Sequence, residues 1–215
     1  MKIGLPAGIQ GVVFSASNVC IQSSLNSLGS DVVAGSAAAL NFEFFAYYLL
    51  NSFSQACVTF TSQNFSAGNY KRCHRVTYLC LLMGILSTSA MCGLFIMFDK
   101  TFIRFYVTDP AVVEIGLKRM KYILSFQFIN AVMDVFSGSL RGMRYSLVPA
   151  LMAVIGVCGV RLLWVWTVFK KYPTFKTLMR VYPVSWAVTA LSVAIAYFVV
   201  RRFAEKPRKM PEFME

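Results

Sequence analysis

Two carboxylates border or interrupt stretches that are otherwise almost free of charge. Glu43 directly precedes the uncharged run 44–70, and Asp134 is the one acid in 122–140. An ionisable group in a membrane span is costly and faces protein or a water-filled cavity. Such a carboxylate can exchange a proton near neutral pH, because low dielectric disfavours its charged form, or it can hold Na⁺. The competing reading is a protonated acid that hydrogen-bonds a neighbouring helix. Polar side chains recur around both acids at helical spacing. At 100° per residue, Gly11, Ser15, Gln22 and Asn26 fall within about 80° of arc with Asn18. Gln127, Asn130 and Arg141 fall within about 40° of Asp134. Glu43, Tyr47, Asn51 and Gln55 follow i+4 spacing, which drifts by about 40° per step, so near neighbours share a face and distant ones do not. The expected cavity wall is therefore Asn18, Gln22, Asn26, Tyr47, Asn51, Gln55, Gln127 and Asn130 around Glu43 and Asp134. For Asn51 and Gln55 the alternative is hydrogen bonding that joins helices.

The elements that must hold these residues follow from the charge-free runs. Residues 3–30, 44–70, 76–98 and 181–200 carry no charge, and 145–169 carries only Arg161. With 122–140 this makes six runs, each long enough for the roughly 20 apolar residues of a helical crossing. The fold class is all-α, a polytopic six-helix membrane bundle. The helices are expected near 3–28, 33–62, 76–98, 118–141, 147–169 and 180–202, with a basic cytoplasmic tail at 204–215. The first run is too long for the roughly 7–15-residue apolar core of a signal peptide. Residues 63–75 and 99–117 read as loops, the second with a turn at Asp109–Pro110. Arg161 is expected to snorkel or to bond backbone carbonyls rather than to pair across the bundle. Trp164, Trp166, Trp186, Tyr172 and Tyr182 are expected in an aromatic belt. Gly138 and Gly142 have a close-packing spacing that also arises by chance.

Composition excludes several other classes. Of 215 residues, 57% are hydrophobic and 14% charged, against roughly 45–50% and about 25% in soluble domains. The mean hydropathy is +0.61. The net charge of +12 reads as basic residues at span ends facing anionic headgroups, and no nucleic-acid partner is expected. The six cysteines form no CxxC pair and His74, placed in a basic loop, is the sole histidine, so no metal site is expected beyond Na⁺ at Glu43 or Asp134. No GxSxG, P-loop, GxGxxG or HExxH motif is present, and the chain is not expected to be an enzyme. Orientation rests on Lys and Arg. With the N-terminus inside, eleven bases lie in cytoplasmic segments and nine outside, and residues 63–75 hold three where 29–36 hold none. Both termini are expected in the cytoplasm.

Several stretches together resemble one family. These are GLPAGIQGVVFSASNVCIQSSLNSLG at 4–29, QACVTFTSQNFSAGN at 55–69, VTDPAVVEIG at 107–116, GSLRGMRYSLVP at 138–149, RLLWVWTVF at 161–169 and YPVSWAVTA at 182–190. In that order they resemble the C-terminal six-helix half of a bacterial MATE (multidrug and toxic compound extrusion) transporter. The usual fourth stretch has Gly where Arg144 stands. The resemblance implies one lobe of a twelve-helix fold in the bacterial inner membrane, exporting drugs and other small cationic or amphipathic organic compounds in exchange for Na⁺ or H⁺. It implies no other cofactor. It places an ion- or substrate-binding acid at Glu43 and, less directly, at Asp134. The bilayer and a missing N-terminal half, from the same gene or a separate chain, are the implied partners. The chain is then expected to be a fragment, a truncated product or half of a split transporter. A lipid-linked oligosaccharide flippase of the related superfamily and a non-transporting remnant or scaffold are the alternatives.

Overall fold

The computed structural model describes the backbone of residues 4–204 and side chains of residues 12–203. The expected tail beyond Ala204, and Gly11 of the polar stripe, lie outside the described side chains. The described elements are α1 (Gly4–Asn26), α2 (Ser30–Ser66), α3 (Tyr70–Met97), α4 (Asp99–Arg104), α5 (Pro110–Leu124), α6 (Gln127–Gly142), α7 (Leu147–Ala153), α8 (Val160–Trp164) and α9 (Phe175–Ala204). Two π-helical turns, Val154–Gly159 and Val165–Phe169, join α7 and α8 into one span, Leu147–Phe169. The bundle is all-helical among the described residues, as the charge-free runs predict.

Among the described residues four helices are long and apolar enough to cross a membrane, and α5 with α6, taken as one bent span, meets the same requirement. The sixth expected crossing corresponds to α1, 23 residues long, whose side chains are described only from residue 12. The expected single helix over 118–141 is corrected. It is a pair, α5 and α6, bent by 44° at Ser125–Phe126. The expected loop at 99–117 is corrected too, because it contains α4 and the start of α5. Asp109 is the N-cap of α5, its side chain accepting from the Ala111 N–H at 2.8 Å, and Pro110 stands in the first turn. Proline suits that place because its missing N–H has no intrahelical acceptor there.

The expected loop at 63–75 is almost wholly helical. Only Ala67, Gly68 and Asn69 separate α2 from α3. Gly68 takes φ +74°, its N–H bonds Phe65 O at 3.1 Å, and the Asn69 N–H bonds Asn64 O at 2.8 Å. That pairing is a Schellman cap, which satisfies the last carbonyls of α2. The same cap closes α6. The Arg144 N–H bonds Arg141 O at 3.0 Å and the Tyr145 N–H bonds Leu140 O at 2.9 Å. Here the left-handed position is filled by Arg144, φ +71°. His74 is therefore not a loop residue. It is buried on α3 and its Nδ1 lies 2.8 Å from the Tyr197 hydroxyl of α9.

Helix α2 packs against α3, α5 and α6, and α6 packs against α3 and α9. The Gly138–Gly142 spacing is a real close approach. A Cβ at Gly138 would meet Ser54 O at 2.8 Å, and one at Gly142 would meet Thr61 Cβ at 2.8 Å. One apolar cluster, with Phe42, Phe95 and Phe102, joins α2 to α5. A second, with Ile21, Ile123, Met179 and Trp186, joins α1, α5, α8 and α9. Leu79, Leu82, Met83 and Leu86 of α3 are exposed. Such a row suits lipid, which is as apolar as the side chains themselves.

Candidate functional site

A cavity of about 600 Å³ opens between α1, α7, α8 and α9 on one side and α2, α5 and α6 on the other. Glu43 and Tyr47 reach it from α2, Arg119 from α5, Asp134 and Arg141 from α6, Asn18 and Gln22 from α1. Gln127 and Asn130 line it just past the α5–α6 bend, and Arg161, Tyr182 and Trp186 close it from α8 and α9. The bend brings Gln127 and Asp134 to the same wall as Arg119.

The expected polar residues divide. Asn18, Gln22, Glu43, Tyr47, Gln127, Asn130 and Asp134 all line the cavity. Asn26, Asn51 and Gln55 do not. Asn26 accepts from the Gln22 side-chain amide at 3.0 Å at the exposed end of α1. Gln55 is exposed and Asn51 half-buried on α2, because the 40° drift of i+4 spacing turns them away from Glu43.

The two acids have different surroundings. Glu43 is held by Arg119 in a bidentate pair, Nε to Oε1 at 2.6 Å and Nη2 to Oε2 at 2.9 Å. The Arg119 side chain is 3% exposed and that of Glu43 12%. Bidentate guanidinium–carboxylate pairs are among the strongest charge-assisted contacts. The Asp134 carboxyl has no hydrogen-bond or ion-pair partner among the described residues. Its backbone carbonyl accepts from Ser54 Oγ at 2.8 Å, and Ser54 Oγ also accepts from Arg141 Nη2 at 3.3 Å. Arg141 is thus tied to α2 rather than paired with Asp134.

Arg161 departs from expectation. It is buried rather than snorkelling, and bonds no backbone carbonyl among the described residues. It is 7% exposed, donates from Nη1 to Asn18 Oδ1 at 3.2 Å, and lies over the Tyr182 ring at 4.8 Å. Arg119 approaches the same ring at 5.6 Å. Tyr182 and Trp186 are therefore cavity residues, not belt residues, whereas Trp166 and Tyr172 are exposed. Arg119 carries no mark of its role in the sequence, since Lys118, Arg119 and Lys121 read together as a basic span end. A turn of α5 buries it. The amphipathic period starting at Pro110 is the one signal that could have revealed this.

The MatE family model matches residues 6–167. The "Probable multidrug resistance protein NorM" of Chromobacterium violaceum is 26% identical over 154 residues, covering 72% of this chain and 33% of that protein. Its namesake from Thermotoga maritima is 25% identical over 162 residues, covering 75% and 35%. The multidrug resistance protein PmpM of Pseudomonas aeruginosa is 26% identical over 164 residues, covering 75% and 34%. The chain thus spans about a third of the length of these relatives. Among solved structures, a MOP superfamily transporter from Pyrococcus furiosus shares the fold, with a TM-score of 0.81 and 17% identity over 93% of this chain and 44% of that one. The family match over most of the length, in a fold that a transporter of known structure shares, places this chain in the MatE family.

Proposed function

We propose that the chain is the C-terminal six-helix lobe of a secondary antiporter that exports drug-sized amphipathic compounds across a bacterial cell membrane. A second lobe, in the same polypeptide or another, completes it, because alternating access needs two bundles moving about a shared site. The cavity of about 600 Å³ lies within the roughly 300–1,000 Å³ range of small-molecule sites. Three guanidiniums against two carboxylates in its wall suit amphipathic compounds better than purely cationic ones.

One observation supports the coupling assignment: Asp134 faces the cavity with no hydrogen bond or ion pair to its carboxyl among the described residues, while Glu43 is bound to Arg119. Asp134 is then the carboxylate that takes up H⁺ or Na⁺, and Glu43 is a positioning residue that keeps Arg119 in the wall. The ion does work only if its bound and free states favour different conformations. The test is efflux of a fluorescent fluoroquinolone from vesicles holding this lobe with its N-terminal partner. Imposed pH and Na⁺ gradients are applied separately to identify the ion. Asp134→Asn is expected to reduce gradient-driven efflux to background, while Gln55→Ala, outside the cavity, keeps the wild-type rate. An unchanged rate in Asp134→Asn overturns the assignment.

A further inference from the structure

We propose that Arg161 anchors an anion subsite in this cavity, which takes the carboxylate, sulfonate or phosphate group of an amphipathic ligand. The inference names the ligand class of the cavity assigned above and rests on that reading only for the ligand's being transported. A guanidinium has five N–H donors. Arg161 is 7% exposed, its one hydrogen bond among the described residues goes from Nη1 to Asn18, and its Nε is buried without an acceptor. Among the described residues no carboxylate pairs with it, and Glu43, which lines the same cavity, is engaged on both oxygens by Arg119. The Tyr182 ring covers the guanidinium at 4.8 Å and offsets part of its desolvation.

The Glu43–Arg119 pair is neutral as a unit, so the Arg161 end of the cavity keeps one positive charge. A charge in low dielectric acts far more strongly than at a surface, and the planar fork of Arg matches a two-oxygen anion. Trp186, Ile21 and Phe14 line the same cavity and can receive an apolar body. The two π turns, Val154–Gly159 and Val165–Phe169, flank the α8 segment that carries Arg161. Inserted π residues rotate a helix face, and they recur at functional sites.

The test uses three probes with one aromatic body: naphthalene-2-sulfonate, the neutral naphthalene-2-sulfonamide and the 2-naphthyl-trimethylammonium cation. Binding to the purified chain in phosphatidylcholine nanodiscs is measured by calorimetry, with empty discs as the partition control. The wild-type chain is expected to bind the sulfonate at least about tenfold more tightly than the cation. Arg161→Gln is expected to remove that preference while retaining the sulfonamide. Repeating the titration with phosphatidylglycerol in the discs separates the sources of the anion. Competition assigns the site to a lipid headgroup, and unchanged sulfonate binding assigns it to a free amphiphile. Equal or tighter binding of the cation by the wild type overturns the proposal even if the variant fails to fold, and so does a preference that survives in Arg161→Gln. Anion binding without gradient-driven efflux would leave this site standing and remove the antiporter reading. Coupled efflux without anion preference would do the reverse.

Discussion

Glu43 and Arg119 show how far one neighbour changes the meaning of a residue. As an acid in a charge-poor run, Glu43 is a candidate ion carrier. With both oxygens bound by a guanidinium that is 3% exposed, it is committed to holding a cation inside the bundle. Removing one partner of a buried pair leaves an uncompensated charge, which destabilises by about 3–5 kcal/mol. Glu43→Gln is therefore expected to lower thermal stability in detergent by an amount of that order. Glu43→Gln with Arg119→Met should recover much of the loss, since replacing a whole buried pair is often neutral. Full stability in the single variant would show that the pair contributes nothing.

At the scale of elements, the caps and close crossings make definite claims. Gly142 lets α6 lie against α2, where an added Cβ would stand 2.8 Å from Thr61 Cβ and 2.9 Å from Val58 O. Backbone cannot yield as a flexible side chain does, so Gly142→Ala is expected to cost roughly 1–3 kcal/mol, the usual range for overpacking. The check is its unfolding midpoint beside that of Gly93→Ala, where nothing lies within 4 Å. Arg144 occupies a left-handed position, φ +71°, that glycine adopts without strain. Its guanidinium donates to Ser66 Oγ at 3.2 Å, an exposed contact of small value. Arg144→Gly is expected to stabilise the chain by up to about 1 kcal/mol, as relief of left-handed strain outweighs the lost bond. A lower unfolding midpoint would show the Ser66 contact to be the stronger term.

Across the whole molecule, the helix ends sort onto two sides. Arg144 reaches Ser66, joining the α6–α7 link to the α2–α3 link, and Arg201 at the end of α9 donates to Tyr78 near the start of α3 at 3.4 Å. Lys71, Arg72 and Arg75 belong to that same face. Lys121 pairs with Asp99 at 3.2 Å near the α3–α4 junction, at the far end of α3. By the positive-inside rule we propose that the first face lies in the cytoplasm. Alkaline phosphatase fused after Asn69 is expected to be inactive, and fused after Thr108 active, in cells. The opposite pattern would invert the proposed orientation.

The sequence by itself determined that these residues form apolar helices, and it marked Glu43, Asp134, Asn18, Gln22, Gln127 and Asn130 as polar positions worth a cavity. Helical period and the scarcity of charge are local properties, and they survive folding because lipid leaves a backbone no partner but its own helix. Tertiary structure alone decided who meets whom. It bent the expected fourth helix at Ser125–Phe126 and brought His74 onto Tyr197. It also moved Arg119 and Arg161 from span ends and snorkelling positions to within 5.6 and 4.8 Å of the Tyr182 ring. Those outcomes depend on distances between helices far apart in the chain, which period and composition do not encode. Whether a buried charge is neutralised or left for a ligand depends on such a distance.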